Sequence, residues 1–181
     1  EHLENVLMVE GPQTVAMIAL ESVVGTNGIL VPPDGYLQGV RDLCNKHGIV
    51  MMCDEVMAGF GRCGEWFAVN HWNVTPDLIC FAKGVNSGYV PLGGVVISQK
   101  IADTFKDRMF PGGLTYMGHP LAAATAVATI DVMKEEKMLE NATSIGAEVF
   151  GPGLHELAKK HSLIGDIRGA GVFWGIDLVS D

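Results

Sequence analysis

Lys83 follows the apolar run Leu78–Ala82 and precedes Gly84. An amine that ends a buried strand is poorly placed for simple solvation. Burial there would lower its pKa and leave it nucleophilic. Asp54 ends a similar run, Ile49–Cys53, 29 residues upstream. That interval suits two neighbouring strands and their connection. Together the two residues suit a site for pyridoxal 5'-phosphate (PLP): the lysine forms a Schiff base, and the carboxylate keeps the pyridine nitrogen protonated. Two unit charges about 4 Å apart, at an effective dielectric near 20, attract by roughly 4 kcal/mol, or about 3 pK units. A neutral Asn could not do this. Taken singly, Lys83 reads equally as a side chain reaching solvent, and Asp54 as a turn cap.

Hydrophobic patterning gives the elements that must position the pair. A helical segment from about Gln13 is expected before a short buried strand, Ile18–Val24. Pro32-Pro33-Asp34 is a helix-start signal. Tyr36, Leu37, Val40 and Leu43–Cys44 then recur at three-to-four spacing until His47-Gly48, where glycine supplies a left-handed cap. Gly93–Ile97 is a third apolar run, followed by the helix-like Gln99–Lys106. Pro120–Lys137 is Ala-rich and helical, and a second helix covers roughly Leu139–His161. Ile164–Arg168 and Val172–Leu178 read as strands of a separate layer. Continuous apolar strands alternating with helices predict an α/β fold with a sheet covered on both faces. Ligands in such sheets gather at the carboxyl ends of the strands, where Asp54 and Lys83 stand.

Composition bounds the function classes. The 181 residues suit one domain or part of a larger one, and 48% hydrophobic content is ample for a core. A net charge of −9 and a pI near 5.0 argue against nucleic-acid and membrane-surface partners, which need clustered Lys and Arg. Cys44, Cys53, Cys63 and Cys80 form no C-x-x-C pair and no disulfide framework, which points to a reducing, cytoplasmic compartment. No run reaches the roughly 18 apolar residues of a membrane span. Residues 1–5 do not resemble a signal peptide, no Met leads, and the chain stops just after a strand-like run, so both ends are expected to be cut.

Six pieces occur in order: Asp54-Glu55-Val56, Gly59-Phe60-Gly61-Arg62, Pro76-Asp77, Ala82-Lys83-Gly84, Pro91-Leu92-Gly93 and Thr115-Tyr116-Met117-Gly118-His119-Pro120. This series resembles the class III (omega-amino-acid) aminotransferases, fold type I PLP enzymes, from about Ile18 to Leu178. The resemblance implies part of the large, mostly parallel-sheet domain over residues 1–138. Residues 139–181 would be a linking helix and the start of the C-terminal small domain. It makes Lys83 the Schiff-base lysine and catalytic base, and pairs Asp54 with the pyridinium nitrogen. Val56 would pack on the ring, and Thr115 would give its hydroxyl to the cofactor phosphate of the neighbouring subunit in a homodimer. Glu21 matches a substrate-proximal E-P-x-x-G segment, with Ser22 in place of the proline.

The implied reaction is a ping-pong transfer of an amino group from a small-molecule amine or omega-amino acid to a keto acid. Met57 stands where relatives acting on ornithine or 4-aminobutyrate commonly carry Gln. Gly113–Tyr116 and Trp66-Phe67 look closer to the branch using taurine or similar amines with pyruvate. An aminomutase of the glutamate-1-semialdehyde type, or a 2-oxoglutarate-dependent aminotransferase, would use the same lysine and aspartate. The family's phosphate cup, ring-stacking aromatic and substrate-carboxylate arginine have no match in these residues, so the isolated chain is expected to be inactive, as a catalytically dead relative would also be.

Two motifs read as decoys. Gly59–Gly64 fits G-x-G-x-x-G, yet residues 54–58 separate it from the preceding strand and no helix start follows. Its glycines are expected to serve a loop. His155-Glu156-Leu157-Ala158-Lys159 misses H-E-x-x-H at its last position, so no metal site is expected, and His119 reads as a packing or capping residue.

Overall fold

The computed structural model describes residues 1–180. Its central strand is β2 (Val50–Asp54), in which burial alternates with strand period: Met51 and Cys53 are fully buried, Val50, Met52 and Asp54 half-buried. β1 (Met17–Glu21) pairs with β2 in parallel on one side, and β3 (Leu78–Phe81) in parallel on the other. β4 (Gly94–Ile97) closes the sheet antiparallel to β3, giving the order β1-β2-β3-β4.

The buried face of β2 meets α1 (His2–Glu10) and α2 (Tyr36–His47). Leu37, Val40 and Cys44 fall on one helical face and pack with Leu7, Ile49, Met51, Cys53, Val69 and Val74. α2 ends as its sequence requires: Gly48 takes φ 69° and its N–H returns to the Cys44 carbonyl. The helix expected from Gln13 is not there. Gly11 at φ 82° ends α1, and Pro12–Thr14 makes only a 3-10 turn before the chain extends at Val15.

Cover on both faces of the sheet is also not found among the described residues. Met17 and Ala19 are exposed, as are Val95, Val96 and Ile97 of the edge strand. The later helices pack elsewhere. After α3 (Gln99–Asp103), α4 (Pro120–Glu135) lies against the Lys83–Val85 turn and α5 (Met138–Ile145). A π-helical turn at Gly146–Phe150 joins α5 to α6 (Gly151–Ala158), so the predicted Leu139–His161 helix is one run with an irregular middle. A Cβ on Gly146 would collide with the Gly171 carbonyl, which explains why a glycine stands there.

β5 (Ile164–Ala170) and β6 (Phe173–Leu178) are the two strands expected apart from the main sheet, and they pair as an antiparallel hairpin. It rests on the loops of the first sheet. Phe173 joins Val23, Ala58, Cys63 and Ala68 in a second core, Val172 N–H donates to the Arg62 carbonyl, and Arg168 Nε donates to the Gly28 carbonyl. No helix among the described residues is long and apolar enough to cross a membrane.

Candidate active site

Register brings the candidate residues to one edge. Glu21, Asp54 and Cys80 are direct partners on three adjacent parallel strands, all at carboxyl ends. Lys83 lies three residues beyond Cys80, so the two strands predicted to be neighbours are neighbours. There the chain leaves β3, enters a 3-10 turn at Lys83–Val85, and Lys83 itself takes φ 47°. A non-glycine residue in the left-handed region costs on the order of 1 kcal/mol and is held by its surroundings, a feature common at functional sites. Gly84 allows the fit: a Cβ there would stand 2.7 Å from the Cβ of Phe60, whose ring lies 5.7 Å from that of Phe81. The burial expected of Lys83 is not observed, because the tight turn leaves its side chain exposed.

Asp54 is half-buried, and its Oδ1 accepts the Val56 N–H at 2.9 Å. That bond is the turn cap anticipated as the plain reading. It leaves Oδ2 with no protein hydrogen bond among the described residues, so cap and ligand roles are compatible. Val56 is half-buried beside it. Glu21 Oε2 accepts the Gly25 N–H at 2.8 Å, closing its own turn, and the Met57 side chain packs so closely on Gly25 that a Cβ could not fit. Thr115 stands apart. Every residue from 106 to 121 is exposed, and its hydroxyl takes no hydrogen bond among the described residues. A cleft of about 800 Å³ opens between the Lys83–Tyr89 loop and α4, walled by Phe60, Arg62, Tyr89, Thr125 and Met133. Lys83 is the one candidate residue on that wall.

Two polar residues near the edge escaped sequence reasoning. Glu55 is fully buried, and Ala68 and Val69 donate backbone N–H groups to its two carboxyl oxygens, each at 2.8 Å. Burial pushes its pKa up against the help of those amides. Asn86, also buried, donates to the Val90 carbonyl at 2.5 Å and to Thr125 Oγ1 at 3.3 Å, tying the loop after Lys83 to α4. The only signal for Glu55 was its place beside Asp54. For Asn86 it was the turn-forming Asn86-Ser87-Gly88.

The decoy loop behaves as a loop: Gly61 and Gly64 take φ 85° and 89°, and the next helical piece is the 3-10 turn Ala68–Trp72. All four cysteines are free, and burial pushes the Cys53 and Cys63 thiols up to about 11 and about 12, the behaviour of packed apolar groups. No cluster of three metal-ligating side chains occurs among the described residues.

A sheet with reactive groups at the carboxyl ends of parallel strands defines an α/β enzyme scaffold. The family model for class III aminotransferases matches residues 1–181, and the chain belongs to that family. It is 38% identical to taurine–pyruvate aminotransferase of Bilophila wadsworthia, with 100% of this chain and 41% of that protein aligned. It is 39% identical to putrescine–pyruvate aminotransferase of Pseudomonas aeruginosa, at 100% and 40% coverage. The solved structure of taurine:2-oxoglutarate aminotransferase from Bifidobacterium kashiwanohense, in complex with PLP and glutamate, superimposes with a TM-score of 0.96 at 47% identity. It covers 98% of this chain and 40% of that one. The chain therefore spans about 40% of the length of these relatives. The architecture is that of fold type I PLP-dependent transferases, the family is enzymatic, and its cofactor is PLP.

Proposed function

We propose that the protein containing this chain transfers an amino group from an amine or omega-amino acid, taurine or similar, to a keto acid, pyruvate, with PLP as cofactor. The observation that carries this reading is the common edge: Asp54 in register with Glu21 and Cys80, and Lys83 held at φ 47° just beyond. The donor set fits the cofactor. Asp54 offers a carboxylate oxygen, Lys83 an amine and Val56 an apolar surface. When bound, PLP supplies a ring that draws electrons from the carbon bearing the donor nitrogen. With PLP bound, Asp54 would hold the proton on the ring nitrogen through Oδ2, since Oδ1 already accepts the Val56 N–H. Lys83 Nζ would take the proton from the donor carbon and return one in the acceptor half of the cycle. Glu21 lies one strand from Asp54 and borders the substrate.

The protein works as a homodimer, with Thr115 reaching the cofactor phosphate of the neighbouring subunit. The exposed 106–121 segment, with Leu114 at 80% and Tyr116 at 83%, supports this. Residues 1–138 belong to the large domain, and residues 139–181 begin the link to the small one. The separate β5–β6 sheet supports that division. Four unpaired cysteines support a cytoplasmic location. The likeness to a taurine:2-oxoglutarate enzyme favours 2-oxoglutarate as the second reading of the acceptor.

In full-length protein, Lys83→Ala should abolish the visible absorbance of bound PLP and lower turnover by more than about 10³-fold. Retention of both would overturn the reading. Taurine consumption with pyruvate against 2-oxoglutarate separates the acceptors, and isomerisation without a second substrate would indicate an aminomutase.

A further inference from the structure

We infer that Glu55 is a positioning residue, which pins the Asp54–Val56 turn and so fixes the Asp54 carboxylate relative to Lys83. This rests on the roles proposed above for Asp54 and Lys83, and assigns one to a fully buried residue beside them.

Every polar group of Glu55 is engaged. Its N–H donates to the Cys80 carbonyl at 2.9 Å, and its own carbonyl accepts the Gly59 N–H at 2.9 Å. Oε2 accepts the Ala68 N–H and Oε1 the Val69 N–H. The first bond matters most for position. Cys80 is the register partner of Asp54 and lies three residues before Lys83, so the Glu55 amide continues the β2–β3 pairing toward the candidate pair. The two side-chain bonds anchor the same turn to residues 68–69, thirteen and fourteen positions along the chain. Gly59 lets the turn close, since a Cβ there would stand 2.8 Å from the Glu55 carbonyl oxygen.

Stability alone is a weak reason for an acid at this place. Among the described residues the Glu55 carboxyl is held by the two amides and makes no ion pair with Lys, Arg or His. A buried acid without a cationic partner carries a desolvation cost that an apolar side chain would avoid. What an apolar side chain cannot do is bind two consecutive amides and hold Asp54, its neighbour in sequence, in place.

The test uses full-length protein with Glu55→Gln, Glu55→Asp and, as reference, Asp54→Asn. Gln presents an NH₂ group to one of the two amides, and Asp is one methylene short of both. PLP titration followed by visible absorbance gives affinity, and a pH series gives the midpoint at which the bound band changes. Both Glu55 variants should bind PLP about tenfold more weakly. Both should also move the midpoint in the direction that Asp54→Asn moves it. A purely structural brace would lower the unfolding temperature and leave the midpoint at its wild-type value. That result, or failure of both Glu55 variants to fold, overturns the inference while Asp54→Asn still supports the site. If Asp54→Asn itself leaves the midpoint unmoved, the reading of Asp54 fails and the inference falls with it.

Discussion

Residues 50–85 and residues 106–121 both carry candidate site residues, yet they are built in opposite ways. The first stretch is braced from within. Strand pairing sets Asp54 beside Cys80, Glu55 ties its turn to residues 68–69, and Asn86 ties the loop after Lys83 to α4. The second stretch has few such ties, and Met109, Leu114, Tyr116 and Met117 all lie open to solvent. A run of exposed large apolar side chains on one segment marks an interaction surface. The contrast teaches that the amine and carboxylate are positioned by this chain's own fold, whereas Thr115 stands on an exposed segment, in keeping with the role proposed for it across a dimer. Substitutions in the first stretch should therefore change chemistry or stability in each subunit by itself, and those in the second should act through assembly.

The sharpest test of the braced stretch is Asp54→Asn. Loss of a charge pair worth about 3 pK units should lower turnover of the full-length protein by about 10²- to 10³-fold, with little loss of stability. A drop below tenfold in steady-state kinetics would break the assignment. Next in size is Gly171→Ala. Gly171 takes φ 55°, and a Cβ there would collide with the backbone of Cys63 and Gly64, on the loop that follows the Asp54 turn. The change should cost about 2 kcal/mol in denaturant unfolding. A neutral result would mean that the hairpin is not seated on this loop.

Asp77 gives a pH-dependent test of the same stretch. Its Oδ2 accepts Arg41 Nη1 and the Met51 N–H, each at 2.8 Å, with the pair mostly buried. Burial opposes the charge, but the Met51 amide and the Arg41 guanidinium outweigh it and hold the Asp77 carboxyl below its usual range. A carboxyl depressed on folding stabilises fully above its unfolded pKa of about 3.9, and that contribution is lost as pH falls through the lower folded value. Asp77→Asn should therefore lower stability by about 2 kcal/mol near neutral pH. The gap between the melting curves of variant and wild type should close in acid. A gap of equal size at pH 7 and pH 3 would show that charge is not what Asp77 contributes.

The braced stretch was also the more legible one in sequence. Ile49–Cys53 and Leu78–Ala82 read as strands because each is apolar throughout and is closed by charge, and both were found within a residue or so. What pins them was not legible. Glu55 meets Ala68 and Val69 only because the intervening loop folds back, and no local pattern encodes that return. The antiparallel sense of β4 was hidden for the same reason, since an apolar run carries no direction. The supposed helix at Gln13 was a misplacement: Gly11 and Pro12 separate the true helix from the strand, and only Leu7 of that helix is fully buried, so its amphipathic signal was weak.

Thr115 closes the comparison with the smallest expected effect. Its side chain is exposed and unbonded among the described residues, so Thr115→Ala should change stability by less than about 0.5 kcal/mol. Loss of one hydrogen bond to the cofactor phosphate should weaken PLP binding by about 1 kcal/mol, roughly fivefold. Mixed dimers decide where that bond is made. Pair a Lys83→Ala subunit with a Thr115→Ala subunit. If Thr115 serves the neighbouring site, both lesions fall on one site and the other keeps an intact lysine and an intact threonine. The active half of the dimer should then bind PLP with wild-type affinity. If Thr115 serves its own subunit, the only site with a lysine lacks the threonine, and affinity should match that of the Thr115→Ala homodimer. The second outcome would erase the contrast between the two stretches, because residues 106–121 would then complete their own subunit's site.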